Sequence, residues 1–296
     1  MTSSLKAVSS KWIKTRIIQR NVKLSRYVPT THPFDRNRLS SMLTQHGMLY
    51  VKPDIGSLGI GVMRVEKRNG TYRYQSGIHI YRFPTFDKLY QSLRHRCGTK
   101  RYLIQKGIHV LTHEGNPYDF RVMIQRNPSG RWECTGTAAR VAHPQKAVTN
   151  GSQGGTIYSP YDLLSPRIGV QATTLLLLEM EKISRLTAGQ LSRSYPGMNE
   201  LGIDIAVDQR LKPWILEVNT RPDPCPFTKL ADQTIIRKIV RFGRANGRKY
   251  DLTCSKAKKA PKPRLRFSTA SLEQEQPLPS VEPSAQPFSE PFPEKE

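Results

Sequence analysis

The chain has 296 residues, 37% of them hydrophobic, with a mean hydropathy of −0.54. That length accommodates one or two domains with a sizeable core. No apolar run approaches the ~18 residues of a spanning helix, so integral membrane insertion is excluded. Forty-seven Lys and Arg against 23 Asp and Glu give a formal charge of +24. A field of that sign attracts polyanions such as nucleic acid, an anionic cell-wall polymer or a multiply phosphorylated ligand. The sequence has no helix-turn-helix, finger or RNA-recognition signature.

In chain order, residues 1–45 carry much of the charge, with nine Lys and Arg against one acid up to residue 38. They read as helical pieces around a Pro-containing connector, YVPTTHPF, with a helix near Leu39–Thr44. They contain no apolar core of a secretory signal. MLYVKP (48–53) reads as a buried strand. GVMRVEKRNGTYRYQSG reads as a hairpin turning at Asn69-Gly70. PTFDKLYQSLRHRC is a helix by the spacing of Phe86, Leu89 and Leu93, and RYLIQKGIHVL is a strand and its exit. YDFRVMIQRN and RWECTGTAARVA are strands, followed by the glycine-rich TNGSQGGTIY. QATTLLLLEMEKISRLTAGQLSR is a helix with Leu176, Met180, Ile183 and Leu191 on one face. LGIDIAVDQRLKPWILEVN is a second hairpin, with Asp208 solvated in its turn, and TKLADQTIIRKIVRFGRAN closes the body as an amphipathic helix. Hairpins mixed with helices favour α+β over a doubly wound parallel sheet. Residues 255–296, rich in Lys, Pro and Glu, are expected to be disordered. Cys97, Cys134, Cys225 and Cys254 form no CxxC pair. A disulfide or Cys zinc site is therefore not expected, and reduced thiols in a cytoplasm fit best.

Two constellations carry chemistry. In VKPDIGSLGIGV, Gly56, Gly59 and Gly61 allow tight turns and bring backbone N–H groups near phosphate oxygens, with the Lys52 ammonium just before them. The spacing matches neither a Walker loop nor a dinucleotide fingerprint, and the loop reads as a flap over a nucleotide. In GIDIAVDQRLKPWILEVN, Asp204 lies on one strand, and Glu217 and Asn219 lie two apart on one face of its partner. Two carboxylates and an amide oxygen suit Mg²⁺ better than zinc. A carboxylate within the apolar run Trp214–Val218 needs a cation or donors, with an arginine partner as the alternative to a metal.

These motifs, with YLIQKGI, YDFRVMIQ and RVAHPQKAVTNGSQGG between them, resemble the ATP-grasp superfamily and most closely its YheC/YheD-like endospore coat-associated group, over about residues 10–245. The resemblance implies two α+β subdomains clamping a nucleotide. A basic segment (1–45) would lead into a lid subdomain (46–115), followed by a C-terminal subdomain with the metal site (116–250). It implies ATP and Mg²⁺, with Mn²⁺ as an alternative, as cofactors. Lys52 would contact phosphates beneath a flap containing Gly56, Ser57, Gly59 and Gly61, and Gln105, Lys106 and Gly107 would form the adenine hinge. Asp119 and Arg121 would line the cleft, Arg140 would face the transferred phosphate or substrate carboxylate, and Asn150 would lie near the phosphates. Asp204, Glu217 and Asn219 would hold the metal, and Arg221 would face the cleft. The implied chemistry is carboxylate–amine ligation through an acylphosphate. The carboxylate and amine are unspecified, and spore-coat proteins or an anionic polymer are the expected partners. A structural coat protein that keeps the fold without turnover, and a polyanion-binding protein, are the competing readings. Only 51 residues precede Lys52, so part of the usual substrate site would be missing or supplied by a partner. Gln153 stands where related ligases often carry a basic residue.

Overall fold

The computed structural model describes residues 8–143, 155–254 and 257–261. The chain starts with α1 (Lys11–Gln19) and the short α2 (Val22–Ser25), then β1 (Thr31–Pro33) and α3 (Arg36–His46). There follow β2 (Met48–Pro53), β3 (Met63–Arg68), β4 (Thr71–Ser76), β5 (His79–Phe83), α4 (Phe86–Cys97) and β6 (Tyr102–Lys106). These strands make an antiparallel sheet in the order β1-β6-β2-β3-β4-β5. α3 and α4 lie on it, and Leu39, Leu43, Leu89 and Leu93 fill a core with Leu49, Val51, Val65 and Tyr74 from the strands. Both helices start on a capping side chain, Asp35 accepting from Arg38 N and Thr85 from Lys88 N. α4 ends in Arg94, His95 and Arg96, which complement its dipole.

The second half runs β7 (Thr112–His113), β8 (Asn116–Arg126), β9 (Trp132–Val141), β10 (Thr156–Tyr158), α5 (Pro160–Ile168), α6 (Val170–Ser192), β11 (Glu200–Val207), β12 (Pro213–Asn219), α7 (Gln233–Ala245) and β13 (Lys258–Lys259). The sheet order is β12-β11-β8-β9-β10-β13, with β7 beside β8. Its two faces are covered differently. Tyr118, Phe120, Val122 and Ile124, alternate residues of β8, share a core with Leu176, Met180, Ile183 and Leu191 of α6. Met123 on the other face packs with Phe227, Ile236 and Ile239 around α7. Strand alternation thus separates a helix-covered face from the face that α7 covers only in part, and the intervening positions are open to functional side chains.

Most of the expected elements appear where the patterns place them, and four differences have identifiable causes. The YVPTTHPF connector contains β1, because Thr31–Pro33 pair with Leu103–Gln105 across an antiparallel edge. Asp208 organises its turn rather than standing in solvent: it accepts from Trp214 Nε1 at 2.8 Å and from the amides of Arg210 and Lys212. The segment expected to be disordered from residue 255 is structured at 257–260, where Lys258–Lys259 pair in parallel with Thr156–Ile157 and Ala257 is buried. The rest of that segment, from residue 262, lies outside the described residues.

The fourth difference is covalent. Cys225 and Cys254 form a disulfide, with Cα atoms 5.4 Å apart, while Cys97 and Cys134 are free thiols. Adjacency in sequence is the wrong criterion here. A disulfide requires proximity in space, and the return of the chain after α7 supplies it. Tyr250 anchors that return: its ring packs against Gly243, and its hydroxyl donates to Glu200 and accepts from Gln125 Nε2 at 3.0 Å. Closing a loop with a sequence separation of 29 contributes about 2–4 kcal/mol. Replacing both Cys225 and Cys254 by Ser is expected to lower the free energy of unfolding by that amount, with a corresponding fall in the denaturant midpoint, and a reducing agent should do the same to the wild type. Equal midpoints for oxidised, reduced and double-Ser protein would mean that the linkage contributes nothing.

Candidate functional site

Four neighbouring strands of the second sheet carry charge on one face. Arg140 comes from β9, Asp119 and Arg121 from β8, Asp204 from β11, and Glu217 and Asn219 from β12. The register sets Asp119 opposite Arg140, and Asp204 opposite both Arg121 and Glu217. Val218, between Glu217 and Asn219, points into the α6 core. Arg140 grips Asp119 through Nε and Nη2, both at 2.7 Å, and its Nη2 lies 3.2 Å from Asp204 Oδ2. Arg121 Nε bonds Asp204 Oδ1 at 2.5 Å and its Nη2 bonds Oδ2 at 3.2 Å. Arg140 and Asp119 are each 3% exposed. Burial opposes both kinds of charge, and the pairing more than offsets it. Asp119 and Asp204 hold the Arg140 guanidinium protonated, while Arg121 and Arg140 pull the Asp204 carboxyl below its usual range.

The facing wall comes from the first sheet. Lys52 on β2 is buried and donates to Gln105 Oε1 at 2.9 Å and to the Leu216 carbonyl at 3.0 Å, reaching from one sheet to the other. Burial brings its pKa down to about 8, against the opposing pull of Glu217. Gln105 is held in turn by its Nε2 donating to Thr31 Oγ1 at 3.1 Å. Lys106 lies 5.7 Å from the Trp214 ring. At Gly107 a Cβ would come within 2.9 Å of the Met48 carbonyl, which accepts the Gly107 N–H, so there is no room for a side chain there. The glycine loop joins β2 to β3 and turns through positive φ at Gly56, Leu58, Gly59 and Gly61. A Cβ on Gly61 would meet Tyr102 Oη at 2.9 Å.

Between the walls lies a cavity of about 520 Å³, within the range of small-molecule sites. Lys52, Ser57, Gly59, Gln105 and Lys106 line it from the first sheet. Asp119, Arg121, Arg140, Asp204, Glu217 and Asn219 line it from the second, and Arg221 from the loop beyond. Gly56, Gly61 and Gly107 do not line it, and Asn150 lies outside the described residues. The sequence reading missed a neutral rim of Cys225, Pro226, Thr253 and Ala257, brought in by the disulfide and β13. It also missed two lysines of α1. Lys11 is 7% and Lys14 5% exposed, and Lys11 Nζ lies 3.4 Å from Glu217 Oε1. Burial lowers the Lys14 pKa to about 8, with Glu217 the leading opposing influence. A legible signal existed, since Lys11 and Lys14 continue the buried face of α1 that Ile17 and Ile18 complete. The cation beside the β12 carboxylate is therefore a lysine, at Oε1, rather than the arginine considered from sequence.

Among the described residues, no group of three or more His, Cys, Asp or Glu converges as a metal cage. Asp204, Glu217 and Asn219 instead lie side by side on the cavity wall, with both Asp204 oxygens engaged by Arg121 and Arg140. Asn219 Nδ2 lies 3.3 Å from the Gly202 carbonyl and 3.4 Å from Asp204 Oδ2.

The chain is 25% identical over 239 residues to the endospore coat-associated protein YheD of Bacillus subtilis strain 168, covering 75% of this chain and 50% of that protein. It is 26% identical over 229 residues to the endospore coat-associated protein YheC of the same organism, covering 73% of this chain and 61% of that protein. The chain thus spans less than two thirds of either relative. The family model described as YheC/D-like ATP-grasp matches residues 4–242, taking in every element from α1 through β12 and most of α7, and the chain belongs to that family.

Proposed function

We propose that the cavity binds ATP with Mg²⁺ and that the chain is a carboxylate–amine ligase-like enzyme working through an acylphosphate. The observation that carries this reading is the convergence of Lys52, Arg121, Arg140, Asp204, Glu217 and Asn219 on one cavity from two separate sheets. Phosphoryl transfer is chiefly a matter of positioning and charge neutralisation, and these residues are of the types it needs. In the first step, a substrate carboxylate oxygen bonds to the γ-phosphorus as the bond to the ADP oxygen breaks. In the second, an amine forms the C–N bond, loses a proton and expels phosphate. Mg²⁺ bound at Asp204, Glu217 and Asn219 would supply neutralisation of the phosphate charge. Lys52 would hold phosphate oxygens from the opposite wall. Arg121 engages Asp204 through Nε and Nη2, so its Nη1 hydrogens remain available to an anionic group.

A second reading keeps the fold and nucleotide binding without turnover, in keeping with the coat association that the relatives' names state. The ion-pair network favours it, because Asp119 and Asp204 already occupy Arg140 and most of Arg121. ATP binding without ADP release, across mixtures of carboxylates and amines, would support this second reading. Release above the no-protein blank would exclude it.

Melting curves with ATP, ADP and GTP, each with and without Mg²⁺, test the site directly. A ligand at ~100 times its Kd stabilises the fold by about 2.7 kcal/mol. ATP with Mg²⁺ is expected to raise the wild-type Tm, with most of the rise absent in Glu217→Gln. Unshifted melts at millimolar nucleotide would rule out the nucleotide site.

The two arginines should separate. Arg140→Met removes the buried guanidinium shared by Asp119 and Asp204, and is expected to cost about 3–5 kcal/mol in chemical denaturation. Arg121→Lys keeps a cation beside Asp204 but loses the planar fork. It should leave stability within about 1 kcal/mol while ADP release falls by roughly 10²-fold. Unchanged release from a folded Arg121→Lys protein would remove Arg121 from the chemistry.

A further inference from the structure

The glycine loop and the proposed metal carboxylate meet at a residue outside both. Lys11 Nζ donates to the Gly56 carbonyl at 2.7 Å and sits 3.4 Å from Glu217 Oε1. Among the described residues no hydrogen bond reaches Glu217 Oε2, and Glu217 lines the cavity. The ammonium thus holds the carboxylate at Oε1, and Oε2 keeps acceptor capacity toward the cavity.

Docking of α1 does not depend on this contact. Ser10 Oγ donates to Asp54 at 2.9 and 3.0 Å, and the Asp54 carboxylate accepts Trp12 N at 2.8 Å. Lys11 N donates to the Asp54 carbonyl at 3.0 Å. Farther along the helix, Ile17 and Ile18 enter the α6 core, and Gln190 Nε2 bonds the Ile17 carbonyl at 3.1 Å. A 3.4 Å ion pair to a carboxylate that is one quarter exposed adds little to such an anchorage. Yet burying the Lys11 ammonium is costly, and an apolar side chain would fill the space without that cost. The contact therefore accomplishes something other than docking. It ties a loop backbone and a carboxylate on different sheets to one rigid helix start.

We propose that Lys11 is a positioning residue of the nucleotide site. It orients the Glu217 carboxylate through Oε1, leaving Oε2 for a metal, and pins the base of the glycine loop at Gly56. This rests on the ATP–Mg²⁺ reading of the cavity. Residues that orient a metal ligand in this way typically control 10–100-fold in metal affinity.

The test compares Lys11→Met, Lys11→Arg and Ser10→Ala with wild type. Ser10→Ala loosens the same helix start but keeps the ammonium. Binding of a non-hydrolysable ATP analogue is measured with and without Mn²⁺. Lys11→Met is expected to weaken binding in the presence of Mn²⁺ 10–100-fold and metal-free binding by less than about threefold, with Lys11→Arg recovering part of the loss. Should Lys11→Met fail to fold, Lys11→Gln, which retains a donor for Gly56, takes its place. Equal losses in Lys11→Met and Ser10→Ala, or no loss in Lys11→Met, would overturn the proposal. Hydrogen exchange on the ligand-free proteins supplies an independent readout. Amides of residues 56–62 should exchange faster in Lys11→Met than in wild type or Lys11→Arg, and unchanged exchange also overturns it. A wild type that binds no analogue, but whose loop loosens in Lys11→Met, would overturn the nucleotide reading and leave Lys11 as a loop pin.

Discussion

Everything around the cavity depends on charges that are too buried to stand alone. Arg140, Asp119, Arg121 and Asp204 form one alternating chain across three strands, and each is 13% exposed or less. Any one of them alone in that position would carry a desolvation cost of several kcal/mol. Arranged as a network, each carboxylate meets a guanidinium fork, and the burial cost is shared among charge-assisted hydrogen bonds. The constraint fixes the local fold as well as the charges. A one-residue slip of β8 against β9 or β11 would send Asp119 and Arg121 into the α6 core and Phe120 out of it. The hydrophobic pattern and the ion pairs therefore specify the same register.

Lys52 extends this logic from one sheet to both. Its bond to the Leu216 carbonyl brings the glycine-loop strand against the strand carrying Glu217, while its bond to Gln105 ties β6 to the same point. Lys11 makes a parallel connection through Gly56 and Glu217. Two ammonium groups on different elements thus converge on β12 between its apolar core residues and its polar face. A mobile anion entering the cavity meets cations already oriented by the fold, so little reorganisation is needed to receive it.

Legibility in the sequence followed the range of the interaction. The strands of the charged row could be read because alternation shows at a spacing of two. β8 puts Tyr118 and Phe120 in the core with Asp119 and Arg121 on the other side, and β12 separates Glu217 and Asn219 by Val218. The hairpin at Asn69-Gly70 and the buried face of α6 were legible for the same local reason. What escaped depends on distant segments meeting. Cys225 and Cys254 are brought together only by the course of the chain after α7. β1 is three residues long and exists as an edge to β6. β13, of two residues, has no pattern of its own and is defined by its pairing with β10. Lys11 and Lys14 sit among the many basic residues of the N-terminal segment, where nothing nearby in sequence marks them as buried, since lysine is almost never fully buried without a partner. Glu217, which pairs with Lys11, lies some two hundred positions away in the chain.

The cavity is consequently uneven in chemistry, and the unevenness follows the chain's own order. The charged wall and the lysines come from segments inside the stretch that matches the family, residues 4–242. Part of the neutral rim, Thr253 and Ala257, comes from beyond it. That rim is held in place by the Cys225–Cys254 link, by Tyr250 against Gly243 and Glu200, and by the pairing of β13 with β10. Ion pairs need strict geometry, and the paired strands of the sheet provide it. A small, uncharged surface needs only to occupy space, so a short covalently tethered segment suffices. The demanding part of the site thus rests on the rigid part of the fold, and the part that shapes the remaining volume is carried by a short segment tethered by the disulfide.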